Sequence, residues 1–215
     1  MKSKISKGEL FQAQAALILA VFLQIVVWRA NHGFTSGQFF MILAELSLIA
    51  VISFSSSIKT FHSRSVHRFA AISLLLLMSA ANVASLIVVI DSLIGSTYDG
   101  SGLQLLSSAL AIFLTNIIVF GLWYWEVDSP GFTLRRWSPK EKDFQFTQQD
   151  LAHEFPNWKP EFFDYLYLSV TNAINFASAD AKPLTRWAKA LMGIQAIISV
   201  FTLALVLARS VSILG

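Results

Sequence analysis

Apolar positions in this chain come in long blocks separated by polar stretches, and five of the blocks read as membrane-crossing helices. A spanning helix needs roughly 20 mostly apolar residues. Leu10 to Trp28, Gln38 to Ser57, Phe69 to Ile94, Gly102 to Trp125 and Trp187 to Leu214 meet or closely approach that length. Glu45 interrupts the second near its middle, and Leu74, Leu75, Leu76 and Leu77 open the third, the most hydrophobic. The fourth closes on Trp123, Tyr124 and Trp125, which reads as an aromatic belt at a membrane interface.

Three of the connections are short: Arg29 to Gly37, Ser55 to Arg68 and Gly95 to Ser101. The fourth, Glu126 to Pro160, holds four of the five prolines, which marks it as a solvated, partly irregular segment too small for a core of its own. After it, Glu161 to Ile174 has helical apolar spacing. At about 1.5 Å per residue it reaches only about 20 Å, too short for a hydrocarbon core of about 30 Å. The residues that follow, Asn175 to Pro183, are small, polar and expected to be extended. Irregular backbone beside a half-length helix is tolerated at membrane depth only when buried in protein or lining water. The expected fold is therefore all-α, with five transmembrane helices and a re-entrant half-helix before the last. The alternative is a helix lying flat in the interface with Phe162, Phe163 and Leu166 facing down. The chain divides into a three-helix region, 1–101, and a second region, 102–215.

Composition agrees: 55% of the 215 residues are hydrophobic and 13% charged, where a soluble domain is nearer a quarter charged. The absence of cysteine excludes disulfides and thiolate chemistry. The net charge of +3 matters less than its placement. Lys2, Lys4 and Lys7 precede the first helix and Lys59, Arg64 and Arg68 follow the second, whereas the opposing short loops carry Arg29 alone. The positive-inside rule then puts the amino terminus in the cytoplasm, and four crossings later the 126–160 segment as well. A multi-pass protein of the bacterial inner membrane is expected.

Among intramembrane polar groups, Glu45 is a candidate proton or cation site, or else a neutral group bonded to Asn82 or Asn116. Asn82 and Asn116 themselves read as interhelical hydrogen-bond partners. His62 and His67, in a basic loop, read as solvated residues facing anionic lipid, with a metal site or pH sensor as the alternative. Ala190, Gly193, Ala196 and Ser199 recur every three positions in the last helix, as a close-packing face does, within the subunit or around a symmetry axis. There is no Walker loop, paired-carboxylate site, nucleophile triad or zinc spacing, so no catalytic residue, metal or cofactor is expected. The basic clusters lack interleaved aromatics, so nucleic acid is not an expected partner.

The stretch from Leu168 to Pro183 resembles the pore region of the potassium-channel superfamily. Without a gap, Ser169, Thr171 and Asn172 fall on the pore helix, and Asn175, Phe176, Ala177, Ser178, Ala179 and Asp180 fall on the selectivity filter. Pro183 keeps its spacing from Asp180, and Gly193 lies near a hinge-glycine position. The resemblance implies an outer helix at 102–125, an inner helix at 187–214, and a homo-oligomer, most simply a tetramer. Ala177 and Ala179 replace both filter glycines, and alanine at positive φ costs about 1 kcal/mol or more. Potassium selectivity by a carbonyl ladder is therefore not expected, and monovalent cations would pass with poor selectivity or not at all. With the charge bias as read, the half-helix enters from the cytoplasmic side. The whole chain also resembles a family of small uncharacterised bacterial membrane proteins in Trp123-Tyr124-Trp125-Glu126, Asp164-Tyr165-Leu166-Tyr167 and Ala188-Lys189.

Three functions follow as expectations. The first is a channel-like oligomeric pore in the lipid bilayer, with Asp180 as a ring charge or else as a local cap or partner of Lys182. The second is a proton- or cation-coupled transporter using Glu45. The third is a non-conducting scaffold that keeps the channel fold without its filter.

Overall fold

The computed structural model describes residues 6–30, 36–57, 64–94, 102–129, 131–132, 142–177 and 180–214, with main chain only at 36–37, 54–57, 64–67, 93–94 and 209–214. Long helices dominate: α1 (Lys7–Ala30), α2 (Ser36–Ser57), α3 (Arg64–Ile94) and α4 (Gly102–Asp128). A strand, β1 (Phe144–Phe146), leads into a single helical turn, α5 (Thr147–Asp150). The half-length α6 (Phe162–Asn175), a second strand β2 (Ala181–Pro183) and the long α7 (Arg186–Leu214) complete the described chain. Among the described residues, four helices are long and apolar enough to cross a membrane, namely Lys7–Ala30, Arg68–Ser92, Gly102–Asp128 and Arg186–Ala208, while Gln38–Ser53 of α2 is a shorter apolar helix.

α4 is the axis of the bundle. Apolar residues occupy its whole circumference, the pattern of a helix enclosed by others, and it packs against α1, α3, α6 and α7. Of its apolar stretch 78% is buried, against 28% for that of α7, so α7 keeps an open face. Helix directions follow from paired side chains. Glu9 at the start of α1 meets Trp125 near the end of α4, and Val27 near the end of α1 clusters with Leu105 near the start of α4. Gln14 pairs with Ser53 and Gln24 with Glu45, so α1 and α2 are antiparallel. Trp123 donates to Ser79 and Trp28 to Ser85, which sets α3 antiparallel to α4.

The aromatic run at the end of α4 departs from the interfacial belt that its position suggests. Tyr124 and Trp125 are wholly buried, and Trp123 is half-buried with its indole N–H on Ser79 at 3.0 Å. The physical reason is the segment that follows α4. Its described parts lay Phe132, Phe144 and Phe146 over the helix end, while residues 150–157 stay exposed. The Phe132 ring stands edge-on to Trp125 at 4.9 Å, and Phe144 meets Tyr124 at 5.1 Å. Gly131 makes the first turn possible: its φ is +52°, and a Cβ there would lie 2.3 Å from the Glu126 Oε2 that accepts the Phe132 N–H.

The two strands pair antiparallel, with Phe144 opposite Pro183 and Phe146 opposite Ala181. This ribbon joins the segment after α4 to the segment after α6, and its aromatic side chains enter the main core beside Tyr165 and Trp158.

Candidate functional site

α6 lies along the second half of α4 in the opposite direction. Phe162 packs on Trp125, Leu166 on Gly121, Ser169 donates to the Ile117 carbonyl at 2.6 Å, and Ala173 reaches Phe113 and Ile117. α4 is about 40 Å long and α6 about 21 Å at 1.5 Å per residue, so α6 ends beside the middle of α4. The chain then turns back: Ala181 to Pro183 pairs with β1, whose Phe146 ring meets Tyr165 near the start of α6 at 5.3 Å.

The close approach of α6 to α4 requires Gly121. A Cβ at that position would lie 3.1 Å from Leu166 Cδ1 and 3.2 Å from Leu166 Cα, so main chain as well as side chain would have to shift. Gly121→Val is expected to lower stability by about 2 kcal/mol, the scale of overpacking a tight contact. Thermal unfolding in detergent reads it, and an unchanged midpoint would mean that α6 does not press on α4 here.

Between α4, α6 and α7 lies a buried polar seam with Gln195 at its hub. The Gln195 amide donates to the Ser169 carbonyl (3.0 Å) and hydroxyl (2.7 Å), and its Oε1 accepts from Tyr124 Oη (2.5 Å) and Asn172 Nδ2 (2.8 Å). Asn172 also donates to the Met192 carbonyl at 3.0 Å. One turn further along α7, Asn116 Nδ2 donates to Ser199 Oγ at 3.0 Å, while its Oδ1 has no partner among the described residues. All six side chains are buried.

The sequence-predicted residues separate into two groups. Ser169, Thr171 and Asn172 point into the subunit, Thr171 donating to the Leu168 carbonyl at 3.0 Å. Asn175, Phe176 and Ala177 are exposed, and Ser178 and Ala179 lie outside the described residues. Phe176 ends α6 in the left-handed region (φ 54°, ψ 19°), a place usually given to glycine or asparagine. Asp180 is held through its carbonyl, which accepts the Thr147 N–H at 3.0 Å and hydroxyl at 3.1 Å. Its carboxyl is half-buried near Asp164. Burial raises the Asp164 carboxyl above the usual carboxylate range; the Glu161 N–H that it accepts opposes this, and the charges of Glu161 and Asp180 add to it. α7 is capped instead by Thr185, whose hydroxyl accepts the Ala188 N–H at 3.2 Å.

Gly193 sits in unbroken helix with nothing within 4 Å of where a Cβ would be. Within the subunit the three-residue stripe around it is not one packed face: Ala190 and Gly193 are exposed, Ala196 is half-buried and Ser199 is buried against Asn116. A 3.6-residue helix rotates a three-residue repeat off any single face. Asn82 is buried on α3, and Glu45 is wholly buried and paired with Gln24 of α1 rather than with Asn82 or Asn116.

Gln195 and Tyr124 carry the seam, and neither stands out from spacing. The available signal is an amide inside an otherwise apolar final helix, which at membrane depth must find a partner. A second cluster closes the end of α4. Asp128 Oδ1 accepts the N–H groups of Asp143 (2.5 Å) and Phe144 (3.0 Å), and Oδ2 accepts Tyr165 Oη at 2.6 Å. Asp143 in turn accepts the Thr185 hydroxyl, and its carbonyl accepts the Leu184 N–H at 2.8 Å. No family model, curated protein or solved structure matches this chain.

Proposed function

We propose that the chain is the subunit of an oligomeric membrane pore in which α6 is a re-entrant half-helix and the turn after it lines a water-filled vestibule. One observation carries the reading. Beyond Asn175, the exposed last residue of α6, Phe176 and Ala177 form exposed, non-helical chain beside the middle of α4, about 20 Å from its end. Lipid cannot satisfy irregular backbone at that depth, so it must be covered by protein or wetted. A tetramer arranged around these turns supplies both. The order of α4, α6 and α7 is the one that the sequence resemblance to the potassium-channel superfamily implies for outer helix, pore helix and inner helix.

In this reading α2 is the fifth crossing. α1 and α4 bring Glu9 and Trp125 together at one side, and α3 runs away from that side, so α2 has to return the chain to it. The positive-inside bias makes that side cytoplasmic. Ala177 replaces a filter glycine, as Ala179 does in the sequence, so monovalent cations pass with little discrimination between potassium and sodium.

Impermeant thiol reagents test this in a chain with no native cysteine. Cysteines placed singly at Glu161 and Asn175 are both expected to label from the side that labels a cysteine at Lys7, and native mass spectrometry is expected to give one closed oligomer. Labelling of Asn175→Cys from the opposite side, or a silent site in a monomer, would overturn the proposal. Labelling in an oligomer whose liposomes pass no cation would identify the non-conducting scaffold instead.

A further inference from the structure

Glu45 projects from the middle of α2 with no solvent exposure, and its helical neighbours Ile42, Leu48 and Ile49 pack into the apolar core. Opposite it stands Gln24 of α1, 2% exposed and flanked by the buried Val21, Val27 and Trp28. Oriented by its hydrogen bonding, the Gln24 Nε2 donates to both carboxyl oxygens of Glu45, at 3.1 and 2.9 Å.

No cation reaches this pair among the described residues. α2 carries no other ionisable group. On α1, Lys7 is exposed and Glu9 is bonded to Trp125 at the far end, and Arg29 is exposed, more than a turn beyond Gln24. On α3, Arg68 and Asp91 are exposed near opposite ends. A carboxylate held in an apolar medium without a counter-charge takes up a proton rather than remain ionised. The amide suits both states. It offers two N–H bonds to the ionised group, and after a half-turn about its own axis it offers Oε1 to the O–H of the acid.

We infer that the Glu45–Gln24 pair is a proton-binding site, at which Glu45 exchanges one proton with solvent and the Gln24 amide turns to follow it. A fixed neutral tie between α1 and α2 would need no ionisable group, and an intramembrane carboxyl earmarks exchange chemistry. Uptake converts the carboxylate to the acid, reverses the direction of the hydrogen bond across the two helices, and requires no repacking around it. The site stands apart from the pore reading, because the measurement that tests it follows the carboxyl itself.

Infrared difference spectroscopy of the full chain in lipid films, taken from alkaline to acid pH, reads both halves. A carboxylic C=O band at the high-frequency end typical of dry groups is expected to grow on acidification and to vanish completely in Glu45→Gln. That variant keeps the shape of the side chain and pairs amide to amide with Gln24. A glutamine amide C=O band is expected to shift in step with it and to be lost in Gln24→Leu. Carbon-13 labelling of glutamate moves the same acid band in the unsubstituted protein, which marks it as a glutamate's, and its survival in Glu9→Gln and in Glu126→Gln leaves Glu45 among the buried glutamates described. A Glu45 band constant across the pH range, or a titrating dry band that survives in Glu45→Gln, would overturn the site. A titrating Glu45 band without the amide shift would overturn the turning amide.

Discussion

Asp128→Ala is expected to lower stability by about 4 kcal/mol and to release the ribbon from the end of α4. The carboxylate accepts three hydrogen bonds in a site 1% exposed, two from the main-chain N–H groups of Asp143 and Phe144 and one from Tyr165 Oη. Alanine leaves the half-buried Asp143 N–H, the buried Phe144 N–H and a buried phenol without an acceptor, at about 1 to 3 kcal/mol for each group that water does not reach. The loss is larger than for a single tie because the same carboxyl positions Asp143, which receives Thr185 at the cap of α7. Asp128→Asn tests the assignment. It keeps Oδ1 for the two N–H groups and offers an N–H to Tyr165, whose hydroxyl turns to accept, so its loss is expected to be only about 1 kcal/mol. Thermal unfolding in detergent ranks the two variants. Limited proteolysis within 147–158 is expected to accelerate in Asp128→Ala well below the unfolding midpoint. Equal losses for Asn and Ala would mean that the charge, and not the acceptor geometry, holds the ribbon.

How much of this arrangement the sequence discloses depends on the length scale of each feature. Apolar blocks of about 20 residues are a strong signal, and the helices they predict are found within a few residues: Leu10 to Trp28 becomes Lys7–Ala30, and Glu161 to Ile174 becomes Phe162–Asn175. The ribbon is invisible by the same logic. Its strands are three residues each, too short for any alternation to register, and the pairing of Phe144 with Pro183 spans most of the distance between α4 and α7. Trp123, Tyr124 and Trp125 show the limit of a statistical rule. Aromatics at the end of a span usually sit at the interface, but α4 is ringed by four helices and roofed by Phe132 and Phe144, so two of its three aromatics are core. The partner of Glu45 was beyond reach for a related reason. Polar residues on different helices meet according to rotation and register, and Gln24 reaches Glu45 because α1 and α2 are antiparallel at that level.

The polar seam is the feature that fixes α6 and α7 on α4, and removing its hub is expected to cost about 3 kcal/mol. Gln195→Leu takes away an acceptor shared by Tyr124 Oη and Asn172 Nδ2 and a donor to both Ser169 oxygens. Not all of these groups are stranded. Asn172 keeps the Met192 carbonyl, and Ser169 keeps its own bond to the Ile117 carbonyl. The phenol suffers most, since the group left to it is Asn172 Nδ2 at 3.3 Å, where nitrogen is the donor. Interhelical hydrogen bonds inside membranes average about 0.6 kcal/mol, so four lost bonds give about 2 kcal/mol and the stranded hydroxyl adds about 1. The double variant Gln195→Leu with Tyr124→Phe separates these contributions, because it removes acceptor and hydroxyl together and leaves no orphan. It is expected to be no less stable than Gln195→Leu alone, with a coupling of about 1 kcal/mol between the two positions. Thermal unfolding of the four members of the cycle in one detergent measures it. Strictly additive losses would mean that Tyr124 and Gln195 do not share a bond.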